Sequence, residues 1–434
     1  MIEPVVSYFL NDENIWQIPD VSIKSFSLSA SIASSFPGAE LVLDDPEGKF
    51  LAALGIKPGN LIGILAAPGG QGDIQTTSNA IFTFCAMRVV GINNPGVFKS
   101  FSDQAQLGSL GGDFRLQLAH QWLIQSDWSN HAYTGKSSEI INKIITQGKR
   151  GFDFPKVSID PTDDNGDMVR YKIAESEAQF IHRKILPYTT IQKQATYSFV
   201  DEVGGFHLHS FEGMYGQPVS AIILPPFTDA ASTTLYDPSA KVPQLYVYDG
   251  AWWIGDKFLE QLSTLHKRVY IENTDPKVGL SFVAKLPYYS NIPGYTLIKK
   301  DFIDSIALNG TEAVVYPFRE FEDTLRLNAN ANASMNEFFQ LSITVDFVPD
   351  IVQVGSTVQV NLAGIDDTKA HWMNGIWLVI ASEHFLREGR YYSKYMIARP
   401  AISNLPSNID AASLYNPAPP PNPLVTAQQS GRNV

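Results

Sequence analysis

From residue 22 to 32 the chain alternates, with Phe26, Leu28, Ala30 and Ile32 in one set of positions and Ser25, Ser27, Ser29 and Ser31 in the other. A period of two marks a strand with one face on a core. Phe36-Pro37-Gly38 ends that strand, and Asp44-Asp45-Pro46-Glu47-Gly48 marks the next turn, after alternating Ala39, Leu41 and Leu43. Lys57-Pro58-Gly59-Asn60 leads into Ile62 and Ile64, and residues 80–92 read as a long strand. The same succession returns near the other end. Phe339, Leu341, Ile343 and Val345 alternate, then Gly355 precedes Val358 and Val360, then a long strand opens at Ile376. Both copies carry Gly-x-x-[Ile/Val]-x-[Ile/Val], and the long strand opens 22 residues after the Gly in one and 21 in the other. One β-unit is present twice.

Between the two copies the period changes. Residues 113–127 and 137–147 read as helices, the second with Ile140, Ile141, Ile144 and Ile145 on one face and Gly148 as a stop. A third helix runs from Glu177 to Leu186, with Ser176 and Gln179 at capping-box spacing and Pro187 beyond it. Tyr197–Val200 and Phe206–Phe211 flank Asp201-Glu202-Val203-Gly204-Gly205 as a hairpin, and Phe258, Leu262 and Leu265 predict a fourth helix over 256–267. The expected fold class is therefore a β-rich α+β protein, with two similar β-barrel domains flanking an α+β middle region. The expected boundaries are 1–105 for the first barrel, 106–334 for the middle region, 335–402 for the second barrel and 403–434 for a Pro-rich tail.

Composition narrows the function. The chain has 434 residues, 44% of them hydrophobic, enough for roughly three domains with ample core. Its 44 acidic and 32 basic residues give a net charge of −12, which argues against a protein that coats nucleic acid or an anionic membrane. One cysteine, Cys85, permits no internal disulfide and reads as a small buried hydrophobe on a strand. No apolar run approaches the ~18 residues of a membrane span, and the acidic start, Met1 to Asn14, does not read as a signal peptide.

Enzyme motifs fail on inspection. Gly135-Lys136-Ser137 lacks the first Gly of a phosphate-binding loop, because Asn130 stands there. Asp163-Asp164-Asn165-Gly166-Asp167 would place Pro161 and Lys172 at the ends of a calcium loop, so it reads as a surface turn. His207 and His209 share a strand face but find no third ligand at a recognisable spacing, and ordinary packing is expected. Trp252-Trp253 and Tyr288-Tyr289 suit either a core or an interface. The expectation is no enzyme, no metal and no cofactor.

Several strings, taken in order, resemble a known family: Tyr133-Thr-Gly135-Lys-Ser137-Ser-Glu139-Ile-Ile141, Tyr171-Lys-Ile-Ala-Glu175-Ser176-Glu-Ala-Gln-Phe180-Ile181, Tyr197-Ser-Phe199, Phe206-His-Leu208, Gly375-Ile-Trp377-Leu-Val379, His384 and Tyr391-Tyr-Ser-Lys394-Tyr-Met396-Ile-Ala-Arg399. The set resembles the central tail (baseplate) hub proteins of bacteriophages and the N-terminal hub portion of type VI secretion valine-glycine-repeat spike proteins. The resemblance spans about residues 22 to 402 and implies a structural protein. Three chains would form a ring whose six barrels face a sixfold tail tube and whose other end holds a threefold central spike. It further implies other baseplate components as partners, genomic DNA passing through without specific binding during ejection into the host, and a virion location after assembly in the host cytoplasm. Because the chain ends soon after the hub-like part, the spike is expected to be a separate protein.

Two sets of site residues follow. The acidic turns with Asp44, Asp45, Glu47, Asp366 and Asp367 are candidates to line the channel, since Lys or Arg there would hold phosphate. Asn416–Pro423 holds five prolines, Pro417, Pro419, Pro420, Pro421 and Pro423, and is a candidate polyproline tether to a partner. The alternatives are a carbohydrate-recognising baseplate or receptor-binding protein, suggested by the aromatics, and a cell-wall hydrolase, suggested only by the carboxylates.

Overall fold

The structure is a computed structural model. It describes residues 6–11, 14–18, 23–45, 56–66, 82–85, 87–93, 112–125, 127–146, 154–166, 169–225, 242–247, 249–254, 268–272, 280–285, 313–316, 326, 337, 339–346, 351–362, 373–387 and 390–399. The predicted helix at 256–267, the acidic Glu47, Asp366 and Asp367, Tyr288-Tyr289 and the proline-rich segment lie outside these residues.

The predicted duplication is present strand for strand. Five strands of the N-terminal part are β1 (Ile23–Ser31), β2 (Gly38–Asp45), β3 (Leu61–Ala66), β4 (Met87–Asn93) and β5 (Gly112–His120). They pair antiparallel in the spatial order β1-β2-β5-β4-β3.

In the middle region come α1 (Ser137–Thr146), β6 (Val157–Ile159), α2 (Glu177–Phe180), β7 (Gln194–Val200) and β8 (Phe206–Ser210). The C-terminal part holds β9 (Asp249–Ile254), β10 (Phe339–Asp346), β11 (Thr357–Val360), β12 (Gly375–Arg387) and β13 (Arg390–Arg399). Their order, β9-β10-β13-β12-β11, all antiparallel, repeats the first. The middle of the chain therefore lends β9 to the second unit.

The equivalence reaches individual hydrogen bonds. Gly59 and Gly355 both have positive φ, +94° and +83°. Gly59 N–H donates to Val89 O at 2.7 Å, and Gly355 N–H donates to Val379 O at 2.9 Å. Val89 and Val379 donate back to Asn60 and Ser356, each at 2.9 Å, and each also begins a bulge against the neighbouring strand. Bulges bend a strand at a set point, so a shared one argues for a shared shape.

The matching partners are thus Val89 and Val379, rather than the strand openings near Ile81 and Ile376. The first unit has the longer connection because its strand breaks at Phe84-Cys85, where Cys85 N–H donates to Glu202 O at 2.9 Å. Cys85 is buried as expected, and burial pushes its thiol far up, so it is inert.

The two units join through the later part of β12, which runs past β11 and pairs with β1 from Ala381↔Ser31 to Leu386↔Phe26, inside a mixed sheet of fifteen described strands. Among the described residues neither unit closes into a barrel; each is an open run of strands.

Each unit has its own core. Phe26, Leu28, Leu41, Leu43, Phe114 and Leu116 pack in the first, and Leu341, Ile343, Val345, Val358, Trp377 and Ile397 in the second. A third cluster sits under α1 and β8, and a fourth takes Ile32, Phe199, Met214, Val354 and Leu378 from all three regions.

Two expected helices changed. Residues 112–120 form β5, and only Gln121–Gln125 is helical. Phe114, Leu116 and Leu118 are buried while Arg115 and Gln117 are exposed, and that period of two prevails over helix propensity. The helix from Glu177 has the predicted capping box, with Gln179 N–H on Ser176 Oγ at 3.2 Å and Ser176 N–H on Gln179 Oε1 at 3.3 Å. It is α-helical only to Phe180 and then widens into a π-turn over Ile181–Ile185. Helix α1 forms as predicted, with its four isoleucines buried.

Candidate functional site

The middle region meets both β-units around the hairpin turn between β7 and β8. The sequence reads that segment as a hairpin turn, and Glu202 within it is fully buried. Its carboxylate accepts from Val354 N–H at 3.2 Å and from Ser382 Oγ, and lies 3.5 Å from His384 Nε2. His384 Nδ1 in turn meets Ser393 Oγ at 2.9 Å. Glu202 therefore binds the second unit through its side chain and the first through its carbonyl on Cys85.

Glu202, His384 and Ser393 are the residue types of a hydrolytic triad, but each is completely buried. No substrate can reach them, and the cluster is a structural pin. Nothing in the local sequence marks Glu202 as more than a turn residue.

The C-terminal motif residues have structural roles too. The Arg399 guanidinium lies 4.4 Å from the centre of the Trp377 ring and donates to Asn374 O at 3.2 Å. Tyr395 OH donates to Val352 O at 3.0 Å, tying β13 to the segment before the Gly355 turn.

Of the channel candidates, Asp44 and Asp45 fall on the last two positions of β2, not in a turn. They pair with Asp113 and Gly112 of β5, and Lys24 bridges Asp44 and Asp113, because strand pairing puts like charges side by side that need a cation between them.

The Asp163–Gly166 segment is a turn as expected, except that Asp164 is buried. It accepts from Ser137 N–H at 2.8 Å and Ser137 Oγ at 2.7 Å, with Arg170 Nη2 at 3.4 Å, so it anchors the start of α1. His207 and His209 do more than pack. His207 Nε2 lies 2.7 Å from Asp201 Oδ2, and His209 Nδ1 lies 2.9 Å from Asp160 Oδ2. Trp252 and Trp253 lie within β9. Among the described residues no three His, Cys, Asp or Glu side chains could hold a metal ion together, and no helix is long and apolar enough to cross a membrane.

One exposed apolar face stands out. Val169, Tyr171 and Ile173 are 46%, 60% and 64% exposed, and Trp128 is 58% exposed. Strand Val169–Lys172 pairs with His131–Thr134, so alternate residues put the apolar set outward, while Arg170 and Lys172 are buried and hydrogen-bonded beneath.

Two histidines lie where the first unit meets the middle region. His120 stacks on Phe36 and Phe154, and His182 Nδ1 is 3.3 Å from Ser35 Oγ. Burial pushes both down to about 4 from the usual 6.5. A group lowered in the folded state is protonated first in the unfolded chain, so stability present above pH 6.5 is lost as pH falls toward 4. His120 alone accounts for roughly 3 kcal/mol across that window. Urea midpoints measured from pH 7.5 to 4.5 should fall through this range, and His120→Gln should flatten the fall.

No protein-family model matches the chain, and no curated protein matches it. The 43 kDa tail protein of prophage MuSo2 from Shewanella oneidensis aligns over 92% of this chain and 98% of that one, at 10% identity and a TM-score of 0.49. An E. coli type VI secretion component aligns over 87% and 73%, at 8% identity and a TM-score of 0.40. The stronger likeness is to the crystal structure of the tail protein from Neisseria meningitidis MC58, at 10% identity and a TM-score of 0.55 over 92% of this chain and 98% of that one, so that fold is also the fold of this chain.

Proposed function

We propose that this protein is a structural tail-hub protein of a bacteriophage. The observation that carries the reading is the five-strand unit present twice in one chain, with the same glycine turn and the same bulge. A threefold ring of such chains presents six similar units, which matches a sixfold tube to a threefold spike. The likeness in fold to a tail protein along nearly the whole chain supports the same role.

In this reading residues 1–105 and 335–402 form tube-like barrels, 106–334 forms the middle region, which lends β5 to the first barrel and β9 to the second, and 403–434 reaches a neighbour. DNA passes through the ring without specific binding. The net charge of −12 suits a passage that must not hold phosphate, with Asp44, Asp45, Glu47, Asp366 and Asp367 along it. The outward face of Val169, Tyr171 and Ile173 provides the apolar centre that a chain–chain contact needs.

A reconstruction of purified tail particles tests the whole arrangement. Three copies are expected, with near-sixfold symmetry toward the tube, acidic residues along the channel and residues 416–423 lying on the spike. A single copy, or six identical ones, would exclude the hub.

A further inference from the structure

A polar cleft lies between the outer face of β6 and β8 and the Gly355 turn, with a volume of about 200 Å³. Strand alternation builds it. Phe206 and Leu208 point into the third core, so His207 and His209 face the other way, beside Ser158 and Lys156. Ser220 and Gln353 complete the polar wall.

Its hydrogen-bonding capacity is lopsided. Both Asp201 oxygens are occupied, Oδ1 by Val203 N–H at 3.0 Å and Gly205 N–H at 2.7 Å, and Oδ2 by His207. The side chains of Lys156, Ser158, Ser220 and Gln353 have no hydrogen-bond or ion-pair partner among the described residues. His209 is 5% exposed, and its buried Nε2 also has none. A buried polar atom left without a partner is costly, and native sites generally supply one.

We infer that this cleft binds a compact oxyanion, phosphate-like or carboxylate-like, between Lys156 and His209. The free groups decide the class. Lys156 only donates, Ser158, Ser220 and Gln353 each have donors to spare, and the one carboxylate on the wall already accepts on both oxygens. Asp160 accepts from His209 Nδ1, which leaves Nε2 as the ring nitrogen that can meet the ion, for example by accepting from the hydroxyl of a hydrogen phosphate. A metal ion is the competing ligand for two carboxylate-backed imidazoles, but Lys156 repels it and no three side chains among the described residues are placed to hold it together. The ion would clamp the middle region to the Gly355 turn, and its binding does not depend on assembly into a tail.

Calorimetric titration of the full-length protein with inorganic phosphate, against sodium chloride at equal ionic strength and about pH 6.5, is the test. One phosphate per chain is expected, with a melting temperature that rises with phosphate concentration. Lys156 is exposed, so Lys156→Met should keep the fold and weaken binding about tenfold or more. His209→Gln should weaken it similarly. A citrate arm that competes with phosphate assigns the same site to carboxylates and supports the class. Phosphate heats no larger than those of chloride, or a Lys156→Met protein that binds unchanged, would overturn the inference. So would saturable zinc binding that is lost in His209→Gln while phosphate does not bind.

Discussion

Glu202→Ala should lower the free energy of unfolding by about 4 kcal/mol, the largest single-residue effect expected in the molecule. Four groups depend on that carboxylate or on its backbone. Val354 N–H and Ser382 Oγ lose their acceptor and His384 loses the carboxylate beside it, in a place no water reaches, because all of the site is buried. Each orphaned group costs about 1–3 kcal/mol, and they are not independent, so the sum is damped. Glu202→Gln keeps one acceptor oxygen and nearly the same volume, and should cost about half as much. The measurement is urea unfolding followed at the near-ultraviolet signals of the aromatic cores. A loss below about 1 kcal/mol for the alanine variant would show that the three regions are held by apolar packing alone.

The second large effect separates the two glycine turns. Gly59→Ala should cost about 1 kcal/mol and Gly355→Ala about 3 kcal/mol, although both residues hold the same turn. Positive φ, +94° and +83°, imposes the same backbone penalty on any side chain at either site. The surroundings differ. A Cβ at Gly59 would meet nothing within 4 Å, whereas a Cβ at Gly355 would stand 2.6 Å from Phe199 Cζ and 3.6 Å from Met214 Sδ. Phe199 is 1% exposed and stacked on His207, so it cannot move aside without straining the fourth core. Equal losses at the two positions would mean that the Phe199 contact relaxes freely. Pairing Gly355→Ala with Phe199→Leu in a double-mutant cycle should recover part of the loss by removing the ring atoms in conflict.

The duplicated turn also shows what was readable beforehand. Gly-x-x-[Ile/Val]-x-[Ile/Val] after an alternating strand was enough to place Gly59 and Gly355 at equivalent turns, because positive φ and period-two burial both act within a few residues. The capping box at Ser176 and the four isoleucines of α1 were legible for the same reason. At 112–120 the alternation of Phe114, Leu116 and Leu118 was equally present, and it forms a strand where a helix was expected.

The sequence by itself determined the period of each element, the turn glycines, the caps and the internal duplication, since these depend on backbone sterics and on near neighbours. Tertiary structure alone decided the rest. It showed that β9 belongs to the second unit and that β12 crosses to pair with β1, because strand partners are chosen by cores far apart in sequence. It made Glu202 a buried pin although the residue sits in an Asp-Glu-Val-Gly-Gly turn. It also set Asp201 and Asp160 against His207 and His209, and brought the Gly355 turn over them. A charge buried against distant partners leaves no local signature, since what stabilises it is the fold around it.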